Sequence, residues 1–244
     1  MCELLGMSAR HPTDVNHSLA LLRPRGGELG PHTDGWGVAF YEGRAAQIFK
    51  EPVPAAESRC LAFIADYDFR STIVIGHIRK ANPTQIGRAS ANTHPFSREL
   101  GGRSWVFAHN GKLPGVQDDQ SFTLGRFRPI GETDSEHAFC FLLDRVAAAG
   151  DGRLLGPREL GAVLRAPVEA LSRLGELNFL MSDGAHLVAF ANAKLHSVLR
   201  ICVERECSQQ VVVLATTPLT DEVWSPLASE QLHVFEAGEE VPAR

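Results

Sequence analysis

Short β-branched and aromatic runs stand on both sides of one block of helical periodicity. This order points to a layered α+β fold rather than to alternating βαβ units. On the N-terminal side, residues 36–41 and 46–49 read as a hairpin turned at Glu42-Gly43, and residues 72–77 and 105–109 as two further strands. On the C-terminal side follow strands over 177–181, 186–191, 196–203, 211–215 and 233–235, the first two joined by a turn over 182–185. Between them, residues 134–149 set Phe139, Leu142, Leu143 and Val146 at i, i+3, i+4 and i+7. A capping-box sequence, Thr133 to Glu136, precedes them, and Gly150 can end the helix. A second pattern opens at Pro157 and aligns Leu160, Val163, Leu164, Val168, Leu171 and Leu174; Pro167 inside it is expected to kink or split that helix. Two helices against many strands is the expected balance.

Composition narrows the function classes. A chain of 244 residues can bury roughly 70–75% of its unfolded surface, and no repeat or linker divides it, so one domain is expected. The net charge of −5, with no Lys/Arg run, gives no reason to expect nucleic acid or an anionic membrane as partner. No stretch approaches the roughly 18 apolar residues of a membrane span, and the start lacks a signal-peptide pattern, so a cytoplasmic location is expected. Cys2, Cys60, Cys140, Cys202 and Cys207 are scattered without a CxxC pair, which argues against a disulfide framework or zinc knuckle. Neither HExxH nor HxH occurs, and no metal or cofactor is expected. His77, His94 and His109, at strand ends, read as structural hydrogen-bonding groups, and Trp36 and Trp105 as core. The cluster Gly26-Gly27-Glu28-Leu29-Gly30 lacks the Gly-Lys-Ser/Thr ending of a phosphate loop and reads as a plain loop.

Four short segments could carry chemistry, and each has a plainer reading. Removal of the initiator Met would leave Cys2 with a thiol and a free α-amine on one residue, a nucleophile beside its own base; otherwise Cys2 is a small residue entering a buried strand. Arg79, in Gly76-His77-Ile78-Arg79, offers a planar fork to a carboxylate, or else a strand-end salt bridge. His109-Asn110-Gly111 is either a hairpin turn or a pair of oxyanion donors, the Asn110 side-chain amide and the Gly111 N–H. Asp134 either complements the dipole of the helix it opens or accepts a substrate ammonium.

Taken in order, Cys2 behind the Met, Arg25-Gly26, Asp34-Gly35-Trp36-Gly37, Gly76-His77-Ile78-Arg79, Asn92-Thr93-His94-Pro95-Phe96, His109-Asn110-Gly111 and Thr133-Asp134-Ser135-Glu136 resemble the class II glutamine amidotransferases. The match is closest to the stand-alone bacterial YafJ-like group. The resemblance implies an N-terminal-nucleophile hydrolase fold, a four-layer αββα sandwich of two antiparallel sheets, as one amidotransferase domain over residues 2–244. It further implies Cys2 as nucleophile with its α-amine as base, Asn110 and Gly111 as oxyanion hole, Arg79 for the α-carboxylate and Asp134 for the α-amine of glutamine or a γ-glutamyl amide. A separate synthase subunit would receive the ammonia, since no acceptor domain follows. A catalytically idle domain that binds a γ-glutamyl compound or a partner is the competing reading. One departure stands out: Arg79 is followed by Lys80-Ala81-Asn82, where larger members carry an aromatic and then Ala-Thr/Ser.

Overall fold

A computed structural model of the chain describes residues 2–81, 87–150, 153–204 and 207–242. The elements run in the order β1 (Glu3–Thr13), α1 (Asn16–Leu22), β2 (Gly35–Glu42), β3 (Ala45–Glu51), α2 (Arg59–Asp66), β4 (Ser71–Arg79), β5 (Phe96–Leu100) and β6 (Arg103–Lys112). Then come α3 (Asp134–Gly150), α4 (Pro157–Ser172), β7 (Glu176–Ser182), β8 (His186–Ala191), β9 (His196–Glu204), β10 (Cys207–Ala215), β11 (Ser225–Pro226), β12 (Leu232–Glu236) and β13 (Glu239–Glu240). A seven-stranded sheet has the order β11-β9-β10-β1-β4-β2-β3, and a six-stranded sheet the order β13-β12-β8-β7-β6-β5. Every described pairing between these strands is antiparallel.

Strand alternation sorts the apolar side chains into three clusters and so produces four layers. Leu5, Met7 and Ala9 of β1 meet Leu19 and Leu22 of α1 and Leu61 and Ile64 of α2 on the outer face of the larger sheet. Phe107 and Phe179 meet Phe139 of α3 and Leu164 of α4 on the outer face of the smaller one. Leu4, Ile73, Ile75, Val106, Ala108, Leu180 and Leu214 fill the space between the sheets. The expected αββα sandwich of antiparallel sheets is therefore the fold of this chain. Among the described residues, no helix is long and apolar enough to cross a membrane.

The hairpin, the strands over 72–77 and 105–109, and the main helix fall where the pattern put them, each strand longer by one to three residues at an end. Three features differ. Pro167 lies inside one continuous helix, α4, because Leu160, Leu164, Val168 and Leu171 are buried along a single face. Four such side chains at roughly 1.5–3 kcal/mol each outweigh the ~3 kcal/mol of an internal proline. The helices number four among the described residues, since α1 and α2 span only 7 and 8 residues and show too few turns for a period to emerge. Thr133 caps α3 by accepting the Glu136 N–H at 3.1 Å, but the Glu136 carboxylate does not complete the box. It accepts instead from Arg98 and from the Gly131 N–H.

Candidate active site

Cys2 stands just before β1 and is held from the opposite sheet by Asn110 of β6. The Cys2 N–H donates to Asn110 Oδ1 at 2.9 Å, and Asn110 Nδ2 donates back to the Cys2 carbonyl at 2.7 Å. Asn110 is fully buried. Its Nδ2 also reaches Thr216 Oγ1 at 3.3 Å, a hydroxyl that in turn accepts the Leu4 N–H at 3.0 Å. The side-chain amide is thus a two-point clamp on the main chain of Cys2. Because Asn110 and Gly111 lie within β6, paired with Asn178 and Leu177 of β7, the hairpin-turn reading of this tripeptide is excluded.

The Cys2 sulfur packs against the segment that leaves β4. The Lys80 N–H donates to Sγ at 3.2 Å, and Sγ lies 3.4 Å from the Lys80 carbonyl. Burial pushes the thiol pKa up; the Lys80 N–H and the Arg79 charge offset part of this. Asp34 fixes that segment from four directions. Its N–H donates to the Arg79 carbonyl at 3.1 Å, its carbonyl accepts from Arg79 Nη1 at 3.3 Å, and its carboxylate accepts from the Ala81 N–H at 2.8 Å and Arg88 Nε at 2.9 Å. Asn82, where the departure noted in the sequence continues, lies outside the described residues.

Gly111 has no space for a side chain, since a Cβ there would stand 1.9 Å from the Glu176 carbonyl oxygen. Leu177, opposite it, directs its own N–H and C=O to Asn192, so the Gly111 N–H is not taken up by the β6–β7 ladder. Asp134 opens α3. Its carboxylate accepts the Leu113 N–H at 2.7 Å and the Ser135 N–H at 2.8 Å, tying the exit of β6 to the start of the helix. Helix-end and strand-end chemistry therefore meet at this one carboxylate.

Cys2, Arg79, Gly111 and Asp134 line a single cavity, together with His94, His109 and Ser135. The sequence-derived set is thus brought together, with Asn110 one layer behind, on the Cys2 backbone. The three histidines differ in satisfaction. His109 is bonded at both ring nitrogens, to Ser135 Oγ at 2.8 Å and the Glu176 carbonyl at 3.2 Å, and its own carbonyl is 3.1 Å from His77 Nε2. Among the described residues, His77 Nδ1 and both nitrogens of His94 are buried without a hydrogen-bond partner. Structural hydrogen bonding accordingly describes His109, half describes His77, and does not describe His94. Burial holds all three rings below imidazole's ordinary value, His77 at about 3. Among the described residues, no group of three or more His, Cys, Asp or Glu side chains could hold a metal ion. Sequence reasoning missed the parts played by Thr216 and the Lys80 main chain, for which residue type gives no signal, and by Asp34, whose Asp-Gly before a strand was visible but mute.

Comparison with known proteins gives a consistent result. The family model for "Glutamine amidotransferases class-II" matches residues 1–243. The "Putative glutamine amidotransferase YafJ" of Escherichia coli (strain K12) is 41% identical over 262 residues, covering 99% of this chain and 100% of that one. A "Putative glutamine amidotransferase" of Haemophilus influenzae is 33% identical over 259 residues, covering 99% and 86%. Among solved structures, a "predicted glutamine amidotransferase from Pseudomonas aeruginosa PA01" superposes with a TM-score of 0.73 at 37% identity, over 99% of this chain and 100% of that one. The glutamine phosphoribosylpyrophosphate amidotransferase of B. subtilis shares the fold, with a TM-score of 0.68 at 16% identity over 98% of this chain and 48% of that one.

Proposed function

The chain belongs to the class II glutamine amidotransferases, and from that premise we propose that it hydrolyses the side-chain amide of glutamine, or of a γ-glutamyl amide, through Cys2. The observation that carries the reading is the Asn110 clamp, which presents the nitrogen of Cys2 to Oδ1 at 2.9 Å while its sulfur lines a cavity with Arg79, Gly111 and Asp134. Removal of Met1 turns that nitrogen into an α-amine with an ordinary pKa of about 7.7–8.0. Desolvation raises the pKa of the half-buried thiol, so attack needs a base, and the amine on the same residue supplies it.

In this mechanism the amine takes the thiol proton as Sγ bonds to the amide carbon, and the carbonyl electron pair moves onto oxygen. The Gly111 N–H receives that charge, joined by Asn110 Nδ2 as it gives up its long contact with Thr216. Collapse breaks the C–N bond, and the leaving nitrogen departs as ammonia or an amine with the proton held on the α-ammonium. Water, deprotonated by the freed amine, then splits the glutamyl thioester into glutamate and thiol. Arg79 receives the α-carboxylate and Asp134 the α-ammonium, so recognition is confined to the glutamyl end.

Cys2→Ala tests this directly. The variant is expected to release no ammonia from glutamine while keeping its thermal midpoint, and a glutamine-analogue electrophile is expected to label the N-terminal peptide of the wild type only. Ammonia release persisting in purified Cys2→Ala, or wild-type material that keeps Met1 and full activity, would overturn the mechanism.

A further inference from the structure

We infer that His94 is a ligand-contacting residue of this cavity, its ring N–H donating to the α-carboxylate of the bound γ-glutamyl compound beside the Arg79 guanidinium. The inference deepens the activity proposed above and rests on it.

His94 is only 4% exposed, and among the described residues neither ring nitrogen has a hydrogen-bond partner. Buried polar groups are bonded in the large majority of cases, so a buried ring with no bonded nitrogen calls for an explanation, and here it lines the cavity. The ring is nevertheless firmly built in. It lies between His77 and Phe96, with centroid separations of 4.2 and 4.4 Å. The segment that carries it is pinned by Lys50 Nζ, which donates to the Thr93 carbonyl at 2.8 Å and the Pro95 carbonyl at 3.4 Å. It also packs against Gly37, where a Cβ would stand 2.2 Å from the His94 carbonyl oxygen. His109 lines the same cavity with both nitrogens engaged inside the protein. His94 is the cavity histidine whose donor and acceptor are left for something else.

The position of Arg79 selects the ligand group. Burial, with the positive charges of Arg79 and Lys50 nearby, keeps His94 neutral, so it carries one N–H and one acceptor nitrogen. A neutral donor beside a guanidinium suits a carboxylate, because it adds a charge-assisted hydrogen bond without adding a second buried cation. The reacting amide is directed elsewhere, toward Cys2 and Gly111.

The test compares L-glutamine with L-glutamine α-amide, which lacks the carboxylate charge. His94→Phe keeps the stacking on His77 and Phe96 and removes the N–H; His94→Gln retains a donor. For the wild type, kcat/KM is expected to favour the free acid. In His94→Phe that preference is expected to shrink roughly 10- to 100-fold, the factor of one lost hydrogen bond to a charged group, mainly through KM, with partial recovery in His94→Gln. An unchanged preference, or an equal fall for both compounds through kcat, would overturn the inference. Should His94→Phe not fold, ¹⁵N-imidazole NMR of the wild type decides: added L-glutamate is expected to shift the His94 ring nitrogens, and unmoved resonances count against the contact. That readout is independent of turnover, so failure of the Cys2 mechanism and failure of the His94 contact are distinguishable.

Discussion

The space between the two sheets is dry along most of its length and polar at one end, although the same strands line both parts. β4 contributes Ile73 and Ile75 to the dry part, and β6 contributes Val106 and Ala108. Two residues further along the same alternation come His77 and then Arg79 on β4, and Asn110 on β6, each no more than 4% exposed. The backbone pattern does not change where chemistry begins; only the residue type does. In the dry part each side chain is satisfied by contact alone. At the polar end each buried donor or acceptor requires a partner or costs roughly 1–3 kcal/mol without one. Asn110 has three such partnerships through its side chain, with the Cys2 nitrogen, the Cys2 carbonyl and Thr216, whereas His94 has none among the described residues. Asn110 is held by the protein on every side, whereas His94 faces the cavity with its ring nitrogens still to be engaged.

The sharpest way to break that distinction is Asn110→Ala. If the amide both clamps Cys2 and donates to the developing oxyanion, kcat is expected to fall roughly 10²- to 10³-fold, well beyond what a small shift in the folded fraction produces. Steady-state ammonia release measured alongside the thermal midpoint separates the roles. A lower midpoint with undiminished kcat would reduce Asn110 to a structural tie between the sheets.

Acid stability probes the three buried rings. His77, at about 3, and His94 and His109, also lowered, stay neutral in the folded chain, while in the unfolded chain they take up protons near pH 6.5. The unfolded state therefore binds more protons as pH falls. Folding stability is fully present above about pH 6.5 and declines toward pH 3, each ring contributing up to about 1.4 kcal/mol per pH unit. Urea midpoints between pH 7 and 4 are expected to drop along that slope and to drop less steeply in His94→Phe. Identical slopes in the two proteins would mean that His94 is protonated in the native state.

The polar end is also where the sequence spoke most clearly about function and least clearly about geometry. Cys2, Arg79, Asn110, Gly111 and Asp134 could be read as one set only through the order of their motifs, because singly each has a plain structural reading: a strand entry, a strand-end salt bridge, a turn or a helix-dipole partner. Their joint presence could not reveal that Asn110 Nδ2 rests on the Cys2 carbonyl, since that contact spans 108 residues and two sheets. Thr216 was invisible for the same reason: its hydroxyl meets Asn110 through tertiary approach alone. The elements divide likewise. Period-two runs and the long helix α3 announced themselves, whereas α1, α2 and β5 are short and take their form from the sheets they cover or extend. The continuity of α4 through Pro167 shows tertiary burial overriding a local rule.

The smallest expected effect tests whether the dry part is independent of the site. Ile75 is fully buried, pairs with Gly6 of β1 and Ala39 of β2, and lies two residues before His77 on the same face. Ile75→Val removes one methylene from a close-packed layer and should cost about 1 kcal/mol. That cost should appear as a lower urea midpoint at unchanged m-value. Because the polar end is positioned by its own hydrogen bonds to Asn110, Thr216 and Asp34, kcat/KM should stay within about twofold, as no hydrogen bond at the site is removed. A tenfold loss of kcat/KM in a fully folded variant would show that the packing of the apolar layer sets the position of Cys2, and the two parts of the interior would then be one cooperative unit.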